Sequence, residues 1–468
     1  MNTTIANRIF VREPSKEVIE WAKTNLCFPN PEFEKKQRMG FWTGRTPREL
    51  RMYEWNGDTL ILPFGVTREI LPLLRGTRID CDFRQDSIIS YGSKSMGLYD
   101  YQKEAVRNMV DARYGILKAG CGAGKTQCGI AMIKLIRRRA LWLCNKHDLI
   151  KQSMERAEKY IDPSLFGTIT EGKVDVGIGL TFATVQTLSR LDLTAYRDYW
   201  DVIIVDECHA VAASASTFTM YEKVLNHLAA RSKYGLTATP HRADGLIKAT
   251  FALLGKVVYE IPKEATADRV TEVKIRTIET DTDVTDDCLY PDGTIDYTKL
   301  IKHIVTDEER NKLIARKIIE EKGHSCIILS DRLDQLEAIR NLLPYEMQEK
   351  AVYINGKMTS KAAKAERHNA LEQMRTGEKK YLCASYKIAR EGLDIPCLER
   401  LFMASPVKDP AVVEQSVGRI RRTADGKTDI PVVYDFKDVN IGMCVGWYKK
   451  RCSVYRKMDA EIEKVTMT

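Results

Sequence analysis

The sequence predicts an α/β protein with two tandem parallel-sheet domains, a small N-terminal α+β domain and a C-terminal helix. Three observations carry this expectation. From about Leu98 onward, short apolar β-rich runs alternate with helical patterns, which is how strands buried on both faces of a parallel sheet read. The runs form two series of similar length. The first holds Ile116-Leu117, Ala140 to Cys144, Val202 to Val205 and Tyr234 to Leu236; the second holds Cys326 to Leu329, Ala351 to Ile354, Tyr381 to Ala384, Leu401 to Ala404 and Pro431 to Tyr434. The first ~95 residues show neither pattern and form a unit of their own.

Each element has a local reason. In the N-terminal part, Arg51 to Trp55 and Thr59 to Leu62 flank Asn56-Gly57, a pair suited to the two positive φ angles of a type I′ hairpin turn. Pro63 and Gly65 then close the second strand. The break between the two series falls near Lys256 to Thr271. From about Ile441, Val445, Tyr448, Cys452, Tyr455 and Ile462 recur at helical spacing, with Lys449, Lys450, Arg456 and Lys457 on the other face. The expected boundaries are 1–94 for the accessory domain, 95–262 and 263–440 for the two lobes, and 441–468 for the helix.

Composition narrows the functional classes. A chain of 468 residues suggests about three domains. With 44% hydrophobic and 29% charged residues it reads as globular. The 73 basic residues exceed the 64 acidic ones, a formal charge of +9 that permits a polyanionic partner. No apolar run reaches the ~18 residues of a membrane span, and Met1 to Val11 lacks the apolar stretch of a signal peptide. The twelve cysteines include no CxxC pair and the seven histidines no HExxH spacing. We therefore expect reduced thiols, no zinc, no membrane contact and a cytoplasmic location.

The chemistry concentrates in two places in the first series. Tyr114 to Ala119 reads as a strand and Thr126 to Arg137 as a helix, joined by Gly120-Cys121-Gly122-Ala123-Gly124-Lys125-Thr126. Glycines let backbone N–H groups approach phosphates, and the helix N-terminus adds favourable charge. Lys125 would reach the β- and γ-phosphates and Thr126 would ligate Mg²⁺. Ala119 stands where the strict phosphate-loop pattern has glycine. About eighty residues on, the apolar run Val202 to Val205 ends in Asp206-Glu207-Cys208-His209. Carboxylates at the C-terminal edge of a parallel sheet sit where its ligands bind. Asp206 would hold Mg²⁺, and Glu207 would orient and deprotonate an attacking water.

With these two motifs in place, the chain resembles the superfamily 2 helicases and translocases, over roughly Leu98 to Phe436. Leu98-Tyr-Asp-Tyr-Gln102 is similar to the adenine-reading segment, with Gln102 as its amide. Gly235-Leu-Thr-Ala-Thr-Pro240 is similar to the third motif, and the resemblance makes Thr237 and Thr239 coupling residues, together with His209 and Gln415. Ala384-Ser385 through Pro396 resembles the fifth motif, placing Gly392 and Asp394 at the nucleotide. Gln415-Ser-Val-Gly-Arg419-Ile-Arg-Arg422 resembles the sixth, with Arg419 and Arg422 as arginine fingers. Three residues apart on a helix, the two arginines would face the same way. The resemblance implies two RecA-like lobes, ATP and Mg²⁺ as cofactors, and a strand moved stepwise as the lobes open and close.

Motifs that grip phosphates and sugars read little sequence. Lys146, in Asn145-Lys146-His147, and Thr184 and Gln186, in Thr184-Val-Gln-Thr187, resemble strand-contacting segments; Ser385 is a further candidate phosphate contact. In the N-terminal part Lys35, Lys36, Arg38, Arg45, Arg48 and Arg51 surround Gly40-Phe41-Trp42-Thr43-Gly44. Basic residues interleaved with aromatics suit backbone contact plus stacking, with Lys36, Trp42 and Arg45 as leading contacts. Phe41, Trp42 and Trp55 could equally fill a small core. This stretch, with Leu60 to Gly65, resembles the accessory domain of UvsW-type bacteriophage helicases, DNA enzymes that remodel forks and Holliday junctions. The resemblance implies an ATP-dependent, monomeric helicase acting on forked or branched DNA in replication, recombination or repair. The alternatives are an RNA helicase, a double-stranded DNA translocase serving a larger complex, and an ATP-gated clamp without catalysis.

Overall fold

The computed structural model describes residues 2–44, 46–84, 88–120, 122–211, 215–238, 247–262, 264–265, 271–354, 361–390, 395–422, 427 and 429–465. The chain divides into two compact units, Met1–Ala265 and Thr266–Thr468.

The first unit opens with β1 (Asn2–Ile5), β2 (Arg8–Arg12), β3 (Cys27–Pro29), β4 (Glu49–Arg51), β5 (Glu54–Asn56), β6 (Thr59–Pro63) and β7 (Arg78–Cys81). Five of these form a sheet in the order β5-β6-β2-β1-β7, and β3 pairs separately with β4. The hairpin is present, one residue out of the expected register. Asn56 pairs with Thr59, so the turn is Gly57-Asp58, and of these only Gly57 has a positive φ, at 58°. A leading glycine suffices for the other primed turn type, which leaves Asn56 in the ladder.

The N-terminal sheet shares its core with the larger sheet of the same unit, so it is not the self-contained domain expected over 1–94. Leu60, Leu62, Phe64 and Ile70 belong to one buried cluster with Tyr114, Ile116, Leu141 and Val205. The Phe64 and Tyr114 rings meet edge to face with centroids 5.1 Å apart. Lys233, fully buried, donates to Leu225 O at 2.7 Å and Asn7 O at 3.1 Å, with Nζ 4.7 Å from the centre of the Phe64 ring. A small sheet of short strands stabilises itself poorly until one face is covered.

Eight strands make the main sheet of this unit: β8 (Tyr114–Lys118), β9 (Ala140–Cys144), β10 (Phe166–Thr170), β11 (Lys173–Asp175), β12 (Leu180–Thr184), β13 (Val202–Val205), β14 (Ser232–Thr237) and β15 (Val257–Glu260). Their order is β11-β10-β12-β9-β13-β14-β8-β15. All pairings are parallel except the β10–β11 hairpin. β8 and β13 are therefore separated by β14 alone, which brings their C-terminal ends about 10 Å apart.

The second unit is a seven-stranded, all-parallel sheet of β16 (Lys274–Thr280), β17 (Cys326–Leu329), β18 (Ala351–Ile354), β19 (Tyr381–Ala384), β20 (Arg400–Met403), β21 (Val432–Asp438) and β22 (Glu461–Val465). The order is β18-β19-β17-β20-β21-β16-β22. Both sheets are parallel α/β layers, as two RecA-like domains require.

The C-terminal segment differs from the expected helical extension. A helix covers Gly442–Lys457 only. Asp459 then takes a left-handed φ of 55°, and Ile462 lies on β22, paired with Ile275 of β16. The open edge of β16 offers backbone partners that a longer helix would leave unpaired. The helix itself is welded to the sheet. Arg451 forks onto Asp435 with two 2.8 Å bonds and donates to Val407 O at 3.0 Å. Tyr455 OH donates to Asp435 at 2.7 Å. Both charged side chains are almost fully buried, and the ion pair holds the Arg451 pKa well above its ordinary value against the opposing effect of burial.

This packing generates two predictions. Arg451→Met should lower unfolding stability by about 3–5 kcal/mol, because Asp435 keeps a buried charge without its partner; replacing both residues with apolar ones should recover most of the loss in urea denaturation. Burial pushes the Lys233 pKa down to about 7 from its ordinary 10.5. Between those values the unfolded chain holds a proton that the folded chain lacks, so this group makes stability rise with pH. The stability of wild type relative to Lys233→Met should thus improve between pH 7 and 9.5, and a constant difference would show that Lys233 stays charged.

Candidate nucleotide and nucleic-acid site

The loop after β8 is shaped by backbone conformation and one buried amide. Ala119 N–H donates to Thr237 O at 2.9 Å, tying the loop to the end of β14. Gly124, the N-cap of the helix Lys125–Ile136, has φ 80°. A Cβ there would lie 2.3 Å from Gln102 Nε2. Gln102 is buried; its Nε2 donates to Ala123 O at 3.1 Å and to Gln127 Oε1 at 3.3 Å, while its Oε1 accepts from Tyr99 N–H at 3.1 Å. The amide expected to read a base is therefore built into the loop it borders. Cys121 lies outside the described residues.

Lys125 opens the helix, with Nζ 3.3 Å from Ala119 O and 3.9 Å from Glu207 Oε1. Asp206, directly after β13, is buried. Its carboxylate accepts from Glu207 N–H at 3.0 Å and from Ser153 Oγ at 3.4 Å. Burial, reinforced by the Glu207 charge, raises the Asp206 pKa, and Lys125 partly offsets this. Thr126 Oγ1 accepts from Arg156 Nη1 at 2.9 Å.

A buried carboxylate held against its own charge, with a hydroxyl on the neighbouring loop, is a donor set of hard oxygens. It suits Mg²⁺, whose shell is otherwise completed by waters and phosphate oxygens. The Asp206 and Thr126 side chains are thus the residues that would hold the ion.

Glu207 sits in a left-handed conformation, φ 48° and ψ 51°, at the start of the short turn Cys208–Ala210. This is uncommon for a residue with a Cβ. It aims the side chain so that Oε2 lies 3.2 Å from His209 Nδ1, which is also 3.2 Å from Thr237 Oγ1. Lys125, Glu207, His209 and Thr237 form one polar chain from the helix N-terminus to the end of β14. Thr239 lies outside the described residues.

In the second unit, Ser385 caps the helix Tyr386–Arg390 through its carbonyl, which accepts from Ile388 N–H and Ala389 N–H at 3.0 and 3.2 Å. Gly392 and Asp394 lie outside the described residues. Gln415 and Arg419 are buried on the helix Pro410–Ile420, and Arg419 Nε donates to Ala389 O at 2.8 Å. Gln415 Oε1 is buried without a hydrogen-bond partner among the described residues. Arg422 does not share that helix. The helix ends at Ile420 with Arg421 as its C-cap, whose side chain bonds Thr271 O and Met458 O, and Lys427 Nζ collects the carbonyls of Ile420 and Arg422. Alignment of Arg419 and Arg422 by helical spacing is thereby corrected.

The strand-contacting candidates fall at the C-terminal ends of β9 and β12. Gln186 Nε2 donates to Asn145 O at 2.9 Å, joining the two loops, and Lys146 caps the helix His147–Glu158. Thr184 is buried, its hydroxyl bonded to Thr187 Oγ1 at 3.0 Å, so it supports the loop rather than facing out. Lys36 also turns inward, to Glu32 at 2.9 Å and Thr46 Oγ1 at 2.7 Å. Trp42 and Phe41 are 84% and 60% exposed and Trp55 48%, which removes the reading that they fill a core. Arg45 lies outside the described residues.

Sequence reasoning missed Ser153, Arg156 and Lys427. The first two lie three apart on the helix Ser153 shares with His147, and that spacing is the signal that could have found them. Gly124→Ala should strain the loop by about 1–2 kcal/mol, as a Cβ in a left-handed conformation does. Binding of a fluorescent adenine nucleotide should weaken ~5- to 30-fold, with thermal melting checked on the same protein.

Residues 95–242 match the family described as type III restriction enzyme, res subunit, and residues 309–424 match the helicase conserved C-terminal domain. A protein of Acanthamoeba polyphaga mimivirus named as a candidate ATP-dependent RNA helicase is 26% identical over 379 residues, 77% of this chain and 67% of that one. The DNA 3'-5' translocase XPB2 of Sulfurisphaera tokodaii is 26% identical over 365 residues, 70% of this chain and 79% of that one. The crystal structure of T4 UvsW aligns over 100% of this chain and 99% of its own, at 19% identity and a TM-score of 0.42.

Proposed function

The chain belongs to the superfamily 2 helicases, and from that premise we propose that it is an ATP-hydrolysing DNA motor that unwinds or branch-migrates forked and Holliday-type DNA. The observation that carries the motor is the polar chain Lys125–Glu207–His209–Thr237 beside the buried Asp206. Lys125 places positive charge on the β- and γ-phosphates. Glu207 orients and deprotonates the attacking water. His209 Nδ1 lies 3.2 Å from both Glu207 Oε2 and Thr237 Oγ1, so we assign the ring the role of coupling a change at the phosphates to the loop after β14. Mg²⁺, when bound, neutralises phosphate charge. We assign Arg419 and Arg422 to the charge that develops on the γ-phosphate. Gln102 shapes the phosphate loop through its bond to Ala123 O; Gly392 and Asp394 are assigned to the nucleotide and Gln415 to coupling, as the resemblance implies.

The preference for DNA over RNA is supported by the name of the Sulfurisphaera relative and by the UvsW-like motif of the N-terminal part, on which the identification with a branch-seeking enzyme also rests. RNA helicase is the second reading, favoured by the name of the mimivirus relative. The N-terminal sheet shares the core of the first unit, so truncation at residue 94 would unfold rather than test the motor. Point substitutions are the appropriate tool.

Glu207→Gln should keep ATP binding and lower single-turnover hydrolysis ~10²- to 10⁴-fold, because an amide accepts no proton; normal turnover removes Glu207 as the base. Arg422→Ala should reduce ATP turnover by ~10³-fold with DNA affinity little changed; equal losses of both would make it a DNA-binding residue instead. The decisive experiment is a panel of labelled fork, Holliday junction, tailed duplex and RNA duplex, each with ATP. Forks and junctions should be processed fastest. Equal unwinding of the RNA duplex supports the RNA helicase, and ATP turnover on plain duplex without strand separation supports the double-strand translocase.

A further inference from the structure

We propose that Phe41 and Trp42 form a rigid stacking tip for unpaired bases at a nucleic-acid branch. This rests on the reading of the chain as a branched-DNA motor and names the part of the substrate that the N-terminal loop engages.

The loop is ordered by its own backbone. The helix Pro31–Arg38 ends with Phe41 N–H donating to Lys36 O at 2.8 Å and Gly40 N–H to Gln37 O at 3.2 Å, with Gly40 at φ 66°. This is the Schellman pattern, in which the residue after the glycine usually packs on the apolar residue five positions back. Here that position is Lys36, so Phe41 has no apolar seat and stays in solvent. Thr46 N–H donates to Thr43 O at 2.8 Å, and Lys36 Nζ closes the loop on Thr46 Oγ1 at 2.7 Å. The Trp42 ring rests on the backbone at Gly44, where a Cβ would lie 2.3 Å from it. One ring face is thus supported while the residue remains 84% exposed; Met39 and Phe41 are 54% and 60% exposed beside it.

Exposing three large apolar side chains at one loop tip is unfavourable without an occupant. The surrounding charge selects the occupant. Residues 31–51 carry Lys35, Lys36, Arg38, Arg45, Arg48 and Arg51 against Glu32, Glu34 and Glu49, with Lys36 paired to Glu32. That balance suits a polyanion with apolar faces, and an unpaired strand offers both, phosphates for the cations and bases for the rings. Paired bases hide their faces in the stack, so the tip selects the open positions at a branch. Stacking is tolerant of sequence, and pre-ordering of the loop lowers the entropy lost on binding.

The test uses the full chain and a DNA fork with 2-aminopurine at the first unpaired positions, beside the same fork abasic there. Wild type and Trp42→Phe should change the 2-aminopurine fluorescence on binding. Trp42→Ala should bind the intact fork ~5- to 100-fold more weakly, and match wild type on the abasic fork. Its thermal melting should be unchanged, since the ring packs on no core residue; Phe41→Ala, which leaves the Trp42–Gly44 contact intact, provides an independent second variant. Wild type binding both forks equally overturns the proposal, as does an unaltered Trp42→Ala with an unaltered Phe41→Ala. A change in sedimentation without a change in fork affinity overturns it in favour of a second copy of the chain as occupant. If the motor acts on RNA instead, the same comparison on an RNA fork still tests the tip, so loss of the DNA reading and loss of stacking are distinguished.

Discussion

Two consecutive carboxylates stand at the end of a strand that is buried along its whole length. Low dielectric makes such a pair costly, and the surroundings are arranged around that cost. Asp206 takes a backbone N–H and a serine hydroxyl; Glu207 takes a left-handed backbone conformation that carries its side chain to Lys125 and His209. The lysine is available because Gly124 turns the loop back under Gln102. Loop, strand end and helix N-terminus are therefore mutually dependent. Each holds a charge or a dipole that the others need compensated, and a phosphate with a divalent cation would complete the balance.

A second constraint acts on the N-terminal sheet. Its inner face is covered by the strands and helices of the first motor domain, with Phe64 between Tyr114 and Lys233 Nζ. A buried lysine is tolerated at that junction because its Nζ donates to two carbonyls beside a ring face and because burial lowers its pKa. The accessory sheet belongs to the first unit and shares its core. The C-terminal helix is likewise part of the second unit, fastened through Arg451 and Asp435.

Much of the site was legible because its chemistry is local. The glycines of the phosphate loop, Lys125 and Thr126 must be consecutive for backbone amides and the helix end to face one phosphate, and the apolar run before Asp206-Glu207 marks a buried strand whatever its neighbours. The eight-stranded sheet also contains strands the pattern did not reveal. β10, β12 and β15 carry Thr, Gly or charged residues in short runs, and their strand character comes from neighbours pairing with them. Ile462 shows the converse. It continues a helical spacing in the sequence, but the unpaired edge of β16 draws it into a strand.

The sequence by itself determined the order of the motifs, the two parallel α/β halves and the identity of the groups that would meet a nucleotide, because each depends on residues adjacent in the chain. Tertiary structure decided which side chains are free to act. Gln102, Thr184 and Lys36 are chemically suited to contact ligands, and all three are engaged in shaping their own loops. Ser153 and Arg156 reach Asp206 and Thr126 from a helix the motif does not include. Phe41 and Trp42, which composition would place equally well in a core, stand in solvent: a lysine occupies the apolar position of the helix cap that would seat Phe41, and the Trp42 ring rests on the backbone at Gly44. Burial and hydrogen-bond partners are properties of the packed chain, set by residues far apart in sequence, and no local pattern encodes them.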